Sequence, residues 1–244
     1  MNSLPDSIAY VSSRAFARYC LWATHTATVA IEGEANFPVV PAVLAGWHTG
    51  NLLALALHYH YFRPLPAVTF APPGFVGTAA RGEMDGFGLR TIALPAEATG
   101  NPLGALRHMI RALAAGELAV IAVDGPYGPA FRVQPGALWL ARATGRPLIP
   151  IGFAARPAVR WPRWDRQIIP LPGARVAAVI GPPIVVEQRR PIDAARRAAL
   201  GEAIGNVTRR AWELAGSPAV FDQARALTRR PPATRLAAPE GLTR

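Results

Sequence analysis

The run Val39-Val40-Pro41-Ala42-Val43-Leu44-Ala45-Gly46-Trp47 is almost wholly apolar. It passes at once into His48-Thr49-Gly50-Asn51 and then into Leu52-Leu53-Ala54-Leu55-Ala56-Leu57. The first part reads as a buried strand, despite Pro41 near its start, and the last as a helix. Strand, short polar turn and helix make the opening half of a βαβ unit.

Working outward, the same rhythm recurs. Strands are predicted at 67–70, 90–94, 118–123, 148–153 and 176–180, and helices at 103–115, 135–144 and 191–215. The glycine-rich stretch 74–88 is expected to hold one short helix. Alternation of this kind predicts an α/β fold, a single domain whose mostly parallel mixed sheet is flanked by helices. Residues 1–38 read as an N-terminal helical segment that docks on a membrane or on the domain, with helix over 7–30; residues 39–215 form the domain proper. Residues 216–244, with Pro231-Pro232 and weak periodicity, are expected to pack loosely or be disordered.

In an open α/β sheet, ligands bind outside the carboxyl ends of the strands. Three turns fall at such ends: His48 to Asn51, Asp124-Gly125-Pro126-Tyr127-Gly128-Pro129, and the loop after Phe153.

Composition narrows the classes. The 244 residues are 51% hydrophobic and only 17% charged, where roughly 25% charged is usual. Part of the surface is therefore expected to meet something apolar. The formal net charge is +11, and all 26 basic residues are arginine. Guanidinium groups grip phosphate with a planar fork, so a basic surface of this kind suits anionic lipid or nucleic acid. One cysteine, Cys20, allows no internal disulfide and permits a reducing compartment. The first residues lack a signal-peptide pattern, and no apolar run reaches about 18 residues, so no transmembrane helix is predicted. The segment 20–31 reads as a docking or interfacial helix.

Several enzyme classes lack their signatures. There is no Gly-x-Ser-x-Gly elbow, which argues against an α/β-hydrolase. There is no Gly-x-Gly-x-x-Gly and no lysine for a phosphate loop.

The motifs taken together resemble the lysophospholipid acyltransferase superfamily. Trp47-His48-Thr49-Gly50-Asn51 is similar to its first motif. Asp124-Gly125-Pro126-Tyr127-Gly128-Pro129 is similar to the third, in a bacterial branch that reads Asp-Gly-Pro-Arg-Gly-Pro. Pro147-Leu148-Ile149-Pro150-Ile151-Gly152 is similar to the fourth, and Trp164-Asp165-Arg166, Ile169-Pro170 and Gly181-Pro182-Pro183 also match that branch. The resemblance covers about 43–186, and its weight lies in four motifs in order. It implies a glycerolipid acyltransferase-like fold. It also implies transfer of an acyl group from acyl-coenzyme A or acyl carrier protein to a lipid hydroxyl, with no metal or redox cofactor.

In that reading His48 is the general base, since a neutral imidazole suits proton abstraction near neutral pH. Asn51 and Asp124 complete the catalytic group, while Arg81, Gly125, Pro126, Tyr127, Gly128 and Arg132 bind substrate. The bland alternative for His48 is a helix-capping residue, and for Asp124 an ordinary turn aspartate. The family's first motif carries an acid five residues after the histidine, but this chain has Leu53. Three consequences are open. Asn51 accepts from the imidazole; or a distant carboxylate does, with Asp124, Glu83 and Asp85 as candidates; or the protein is feeble or inactive. The last case makes it a lipid-binding scaffold. A hydrolase, with water as acceptor, is the nearest enzymatic rival.

Arg156, Arg160, Arg163 and Arg166 alternate with Trp161 and Trp164. This suits a membrane interface, with rings and guanidinium groups at headgroup level. It also suits a solvated loop with inward tryptophans, and single-stranded nucleic acid least. The expected partners are thus lipid and acyl donor, without nucleic acid, at the cytoplasmic face of a membrane. His58 and His60 lack further ligands nearby and are read as helix-end residues, not a metal site.

Overall fold

The computed structural model describes residues 4–37, 41–61, 66–94 and 102–229. It is an α/β domain built on a seven-stranded sheet. The strands are β1 (Thr28–Glu32), β2 (Val43–Gly46), β3 (Ala67–Ala71), β4 (Arg90–Ala93), β5 (Leu118–Ala122), β6 (Leu148–Arg160) and β7 (Ile168–Ile180). Their order across the sheet is β1-β7-β6-β2-β5-β3-β4. All pairings are parallel except β6 with β7. The expected mixed, mostly parallel sheet is therefore present.

The quoted strand is real but short. Val43–Gly46 lies in mid-sheet between β5 and β6, and its side chains are almost fully buried. Residues 39 and 40 lie outside the described residues. Helix α2 (Asn51–Tyr61) follows as read. Its Leu52, Leu53, Leu55, Ala56 and Leu57 are buried, so the apolar run is a core helix.

Four expectations change. The N-terminal helix α1 (Leu4–His25) stops five residues before the predicted end, and Thr28-Val29-Ala30-Ile31 joins the sheet as β1. β-Branched residues supply a strand there, and pairing with β7 outweighs helix continuation. The docking helix read over 20–31 is thus half helix and half edge strand. The short helix in 74–88 is instead the 14-residue α3 (Gly74–Phe87). Its glycines are contact points: a Cβ on Gly82 would strike the Tyr10 carbonyl, and one on Gly86 would strike Ala17. Close packing of α1 on α3 overrides the low helix propensity of glycine.

β6 and β7 each run to 13 residues, more than twice the predicted lengths, and pair as one antiparallel hairpin. Finally, the tail begins with a packed helix, α7 (Ala219–Arg229), whose Phe221 is 1% exposed. Residues 230–244 lie outside the described residues.

The remaining helices are α4 (Pro102–Ala114), α5 (Gly136–Thr144) and α6 (Ala194–Leu214). Helix α6 is capped by Asp193, whose carboxylate accepts from the Arg196 N–H at 2.9 Å. No described helix is long and apolar enough to cross a membrane.

Candidate active site

The carboxyl ends of β2 and β5 lie side by side, with Gly46 in register with Ala122. The two chains leaving these strands therefore meet. His48 opens a 3-10 turn (His48–Gly50) that runs into α2, and Asp124 follows β5 by two residues. The His48 backbone N–H donates to Asp124 Oδ1 at 2.9 Å, and the Phe131 N–H donates to Oδ2 at 2.9 Å. Asp124 is 1% exposed, and these two charge-assisted bonds offset the cost of burying it.

The His48 ring leans on the same carboxylate. Nδ1 lies 3.6 Å from Asp124 Oδ1, longer than a hydrogen bond, and has no other partner among the described residues. Asp124 is thus the carboxylate that meets the His48 ring. Leu53 itself is wholly buried in the core. Asn51 lines the cavity beside His48 but makes no hydrogen bond to Nδ1. Asp85, another candidate, is instead exposed and accepts from the Tyr10 hydroxyl at 2.6 Å.

Two glycines make room for this arrangement. A Cβ on Gly125 would fall 2.6 Å from His48 Nδ1 and closer still to Cε1. Gly128, at φ +81°, passes so near Trp164 that a Cβ there would sit 2.7 Å from the indole. Trp164 packs in turn on the imidazole, with centroids 5.1 Å apart and planes at 58°. The ring is held between the 124–129 turn and an indole.

His48 opens onto a cavity of about 600 Å³. Its walls include Phe16 from α1, Val76 and Glu83 from α3, Phe70 from β3, and Trp161, Arg163, Trp164 and Asp165 from the β6–β7 connection. Of the predicted substrate-binding residues, Gly125 and Pro126 line this cavity. Gly128 supports Trp164 from behind. Tyr127 and Arg132 are exposed and do not line it. Arg81 does not line it either, and donates to Thr78 Oγ1 at 2.9 Å.

The arginine–tryptophan segment divides. Arg156 bonds the Gly216 carbonyl and Ser217, and Arg160 stacks over Trp212 at 5.0 Å, both structural roles. Trp161, Arg163 and Trp164 line the cavity, and the Arg166 carbonyl accepts from Thr49 Oγ1 at 2.9 Å. The sequence reading missed Arg163 and Asp165 as cavity residues; the Trp164-Asp165-Arg166 motif was the signal. His60 Nε2 lies 3.1 Å from the Leu21 carbonyl.

Burial pushes the half-buried Glu83 up to about 7, against the lowering influence of His48 and Arg163, while the Asp165 charge raises it further. A carboxyl raised from the ordinary 4.5 binds more protons folded than unfolded. Its contribution to stability is complete below pH 4.5 and is lost as pH rises through 7. Glu83→Gln is therefore expected to stand a few degrees higher in Tm, relative to the parent, at pH 8 than at pH 4.5. Thermal scans of both proteins across that range check it.

No family model matches the chain. A stretch of 86 residues, 35% of the chain, is 33% identical to an uncharacterized protein of Rickettsia prowazekii (strain Madrid E). That stretch covers 39% of the Rickettsia protein, about two fifths of its length. In structure the chain is similar to the 1-acyl-sn-glycerophosphate (LPA) acyltransferase PlsC from Thermotoga maritima. The TM-score is 0.52 at 20% identity, over 84% of this chain and 79% of that one. The chain has the fold of that acyltransferase.

Proposed function

We infer that this protein is an acyltransferase. It moves a fatty acyl group from acyl-coenzyme A or acyl carrier protein to a hydroxyl of a lysophospholipid-like lipid, without a cofactor. The observation that carries the reading is His48, with Nδ1 buried toward the Asp124 carboxylate and its ring on the wall of a large, mostly apolar cavity.

That geometry supports the following steps. Nε2 takes the proton of the acceptor hydroxyl as its oxygen attacks the thioester carbonyl carbon. Asp124 stabilises the imidazolium and fixes the ring. The Asn51 amide, on the cavity wall, donates to the developing oxyanion. Collapse of the tetrahedral intermediate breaks the C–S bond, and the imidazolium returns its proton to the departing thiolate. The products are an ester and a free thiol.

A lipid acceptor fits the surroundings. Leu4, Ile8 and Val11 on α1 and Phe75 and Val76 on α3 are exposed, and these two helices also wall the cavity. An apolar rim on a chain of net charge +11 suits peripheral contact with an anionic membrane face.

The purified chain is tested with acyl-coenzyme A or acyl-carrier protein and a monoacyl lipid. Thiol release that requires the acceptor and equals the diacyl product is the expected result. Equal release without acceptor would make it a hydrolase. Lipid binding with no release from either donor would make it a scaffold.

A further inference from the structure

The cavity holds more negative charge than the proposed reaction uses. Asp165 is 1% exposed and lines it, yet neither carboxylate oxygen has a hydrogen-bond partner among the described residues. A buried carboxylate left without donors is unfavourable, and native structures seldom keep one idle. Asp165 also shares this cavity with His48. It sits in the connection between β6 and β7, beside Trp164, which packs on His48.

Glu83 faces the same space from α3, close enough for His48, Arg163 and Asp165 all to act on its charge. The cavity wall thus carries the Asp165 carboxylate, the Glu83 carboxyl, which an ammonium beside it would draw into its ionised form, and one guanidinium, Arg163, whose residue is largely exposed. This imbalance opposes the rest of the molecule, which has 26 arginines against 15 acids. A site that received only a phosphate would be repelled by it. A group with several N–H donors and a positive charge would satisfy it.

Resting on the acyl-acceptor reading of this cavity, we propose that Asp165 and Glu83 form a head-group subsite that binds a primary ammonium carried by the acceptor lipid. Arg163 at the rim then faces whatever anionic group accompanies the ammonium. The same chemistry has two sources: a phosphoethanolamine head, or an amino-acid head that lacks phosphate.

The test is equilibrium binding to the full chain, with transfer assayed in parallel. The probes are monoacyl phosphoethanolamine lipid, its N-acetylated form, monoacyl phosphoglycerol lipid, and a monoacyl amino-acid lipid with a free amine. Binding of the free-amine lipids about tenfold or more tighter than the N-acetyl and phosphoglycerol lipids is expected. A stronger response to one amine lipid identifies the source. Asp165→Asn, which keeps the side-chain shape, is expected to bring that ratio toward one, and Glu83→Gln to do so in part. Equal binding of amine and N-acetyl lipids by the parent protein overturns the proposal even if either variant misfolds. So does a preference that survives Asp165→Asn. If no lipid is acylated but the amine preference holds, the transferase reading fails and the subsite stands. Transfer that ignores the amine has the opposite meaning.

Discussion

His48→Ala is expected to lower acyl transfer by about 10³-fold or more while leaving the fold intact. General-base catalysis typically contributes about 10²–10⁴ in rate, and no other imidazole lines the cavity. The substitution is structurally mild. The bond from this position to Asp124 Oδ1 comes from the backbone N–H, which alanine keeps. The side chain is 21% exposed, and the packing lost is chiefly that against Trp164. A fall in Tm of about 2–4 °C is expected for a loss near 1 kcal/mol in a chain of this size. The measurement is kcat/KM for thiol release beside a thermal scan. Undiminished turnover in the variant would sink the mechanism.

Asp124→Asn is expected to damage both stability and rate. Each carboxylate oxygen accepts a backbone N–H, from His48 and from Phe131. Asparagine offers one oxygen and one NH2, so an amide donor must face a backbone donor in a site that is 1% exposed. Losing one charge-assisted bond there costs about 2–3 kcal/mol, or about 5–10 °C in Tm. The ring also loses the negative charge that steadies its imidazolium, and the comparable change in serine proteases costs about 10⁴ in kcat. A fall in kcat of about 10²–10⁴ is expected. The double variant distinguishes a paired role from two separate ones: in the His48→Ala background, Asp124→Asn should cost little further activity.

The fold class was legible in the alternation of strands and helices, and so was the local structure that carries the candidate site. Strand, turn and helix about His48 were legible because an apolar run ending in polar residues has few other foldings. Asp124 was legible as a polar residue at the end of an apolar strand, though only the β2–β5 register brings it to His48. That register is long-range, so the sequence named Asn51 and Asp124 as partners of His48 but left Glu83 and Asp85 as further candidates for the acid.

Other features were hidden for definite physical reasons. The length of α3 depends on Gly82 and Gly86 touching α1, a tertiary contact that reverses what their propensity suggests. Strand β1 was concealed because α1 runs to within three residues of it, with no glycine or proline between them to mark the boundary. The prolines of β6 and β7, among them Pro157, Pro170 and Pro172, interrupt the pattern by which strands are read. Arg81 was named for the family's second-motif arginine and Arg132 as a charge close after Tyr127; side-chain placement, which a sequence does not carry, leaves both off the cavity wall.

The bond between His48 and Asp124 joins residues 76 positions apart, across adjacent parallel strands. In a chain whose acid lies one helical turn from its histidine, the pair exists as soon as that helix forms. Here neither residue can find the other until β2 and β5 have closed the intervening loop, an event of high contact order and correspondingly slow. The His48–Asp124 arrangement is therefore a late property of the folding chain. A nascent or partly unfolded molecule can carry native helices, α2 included, and still lack the His48–Asp124 contact.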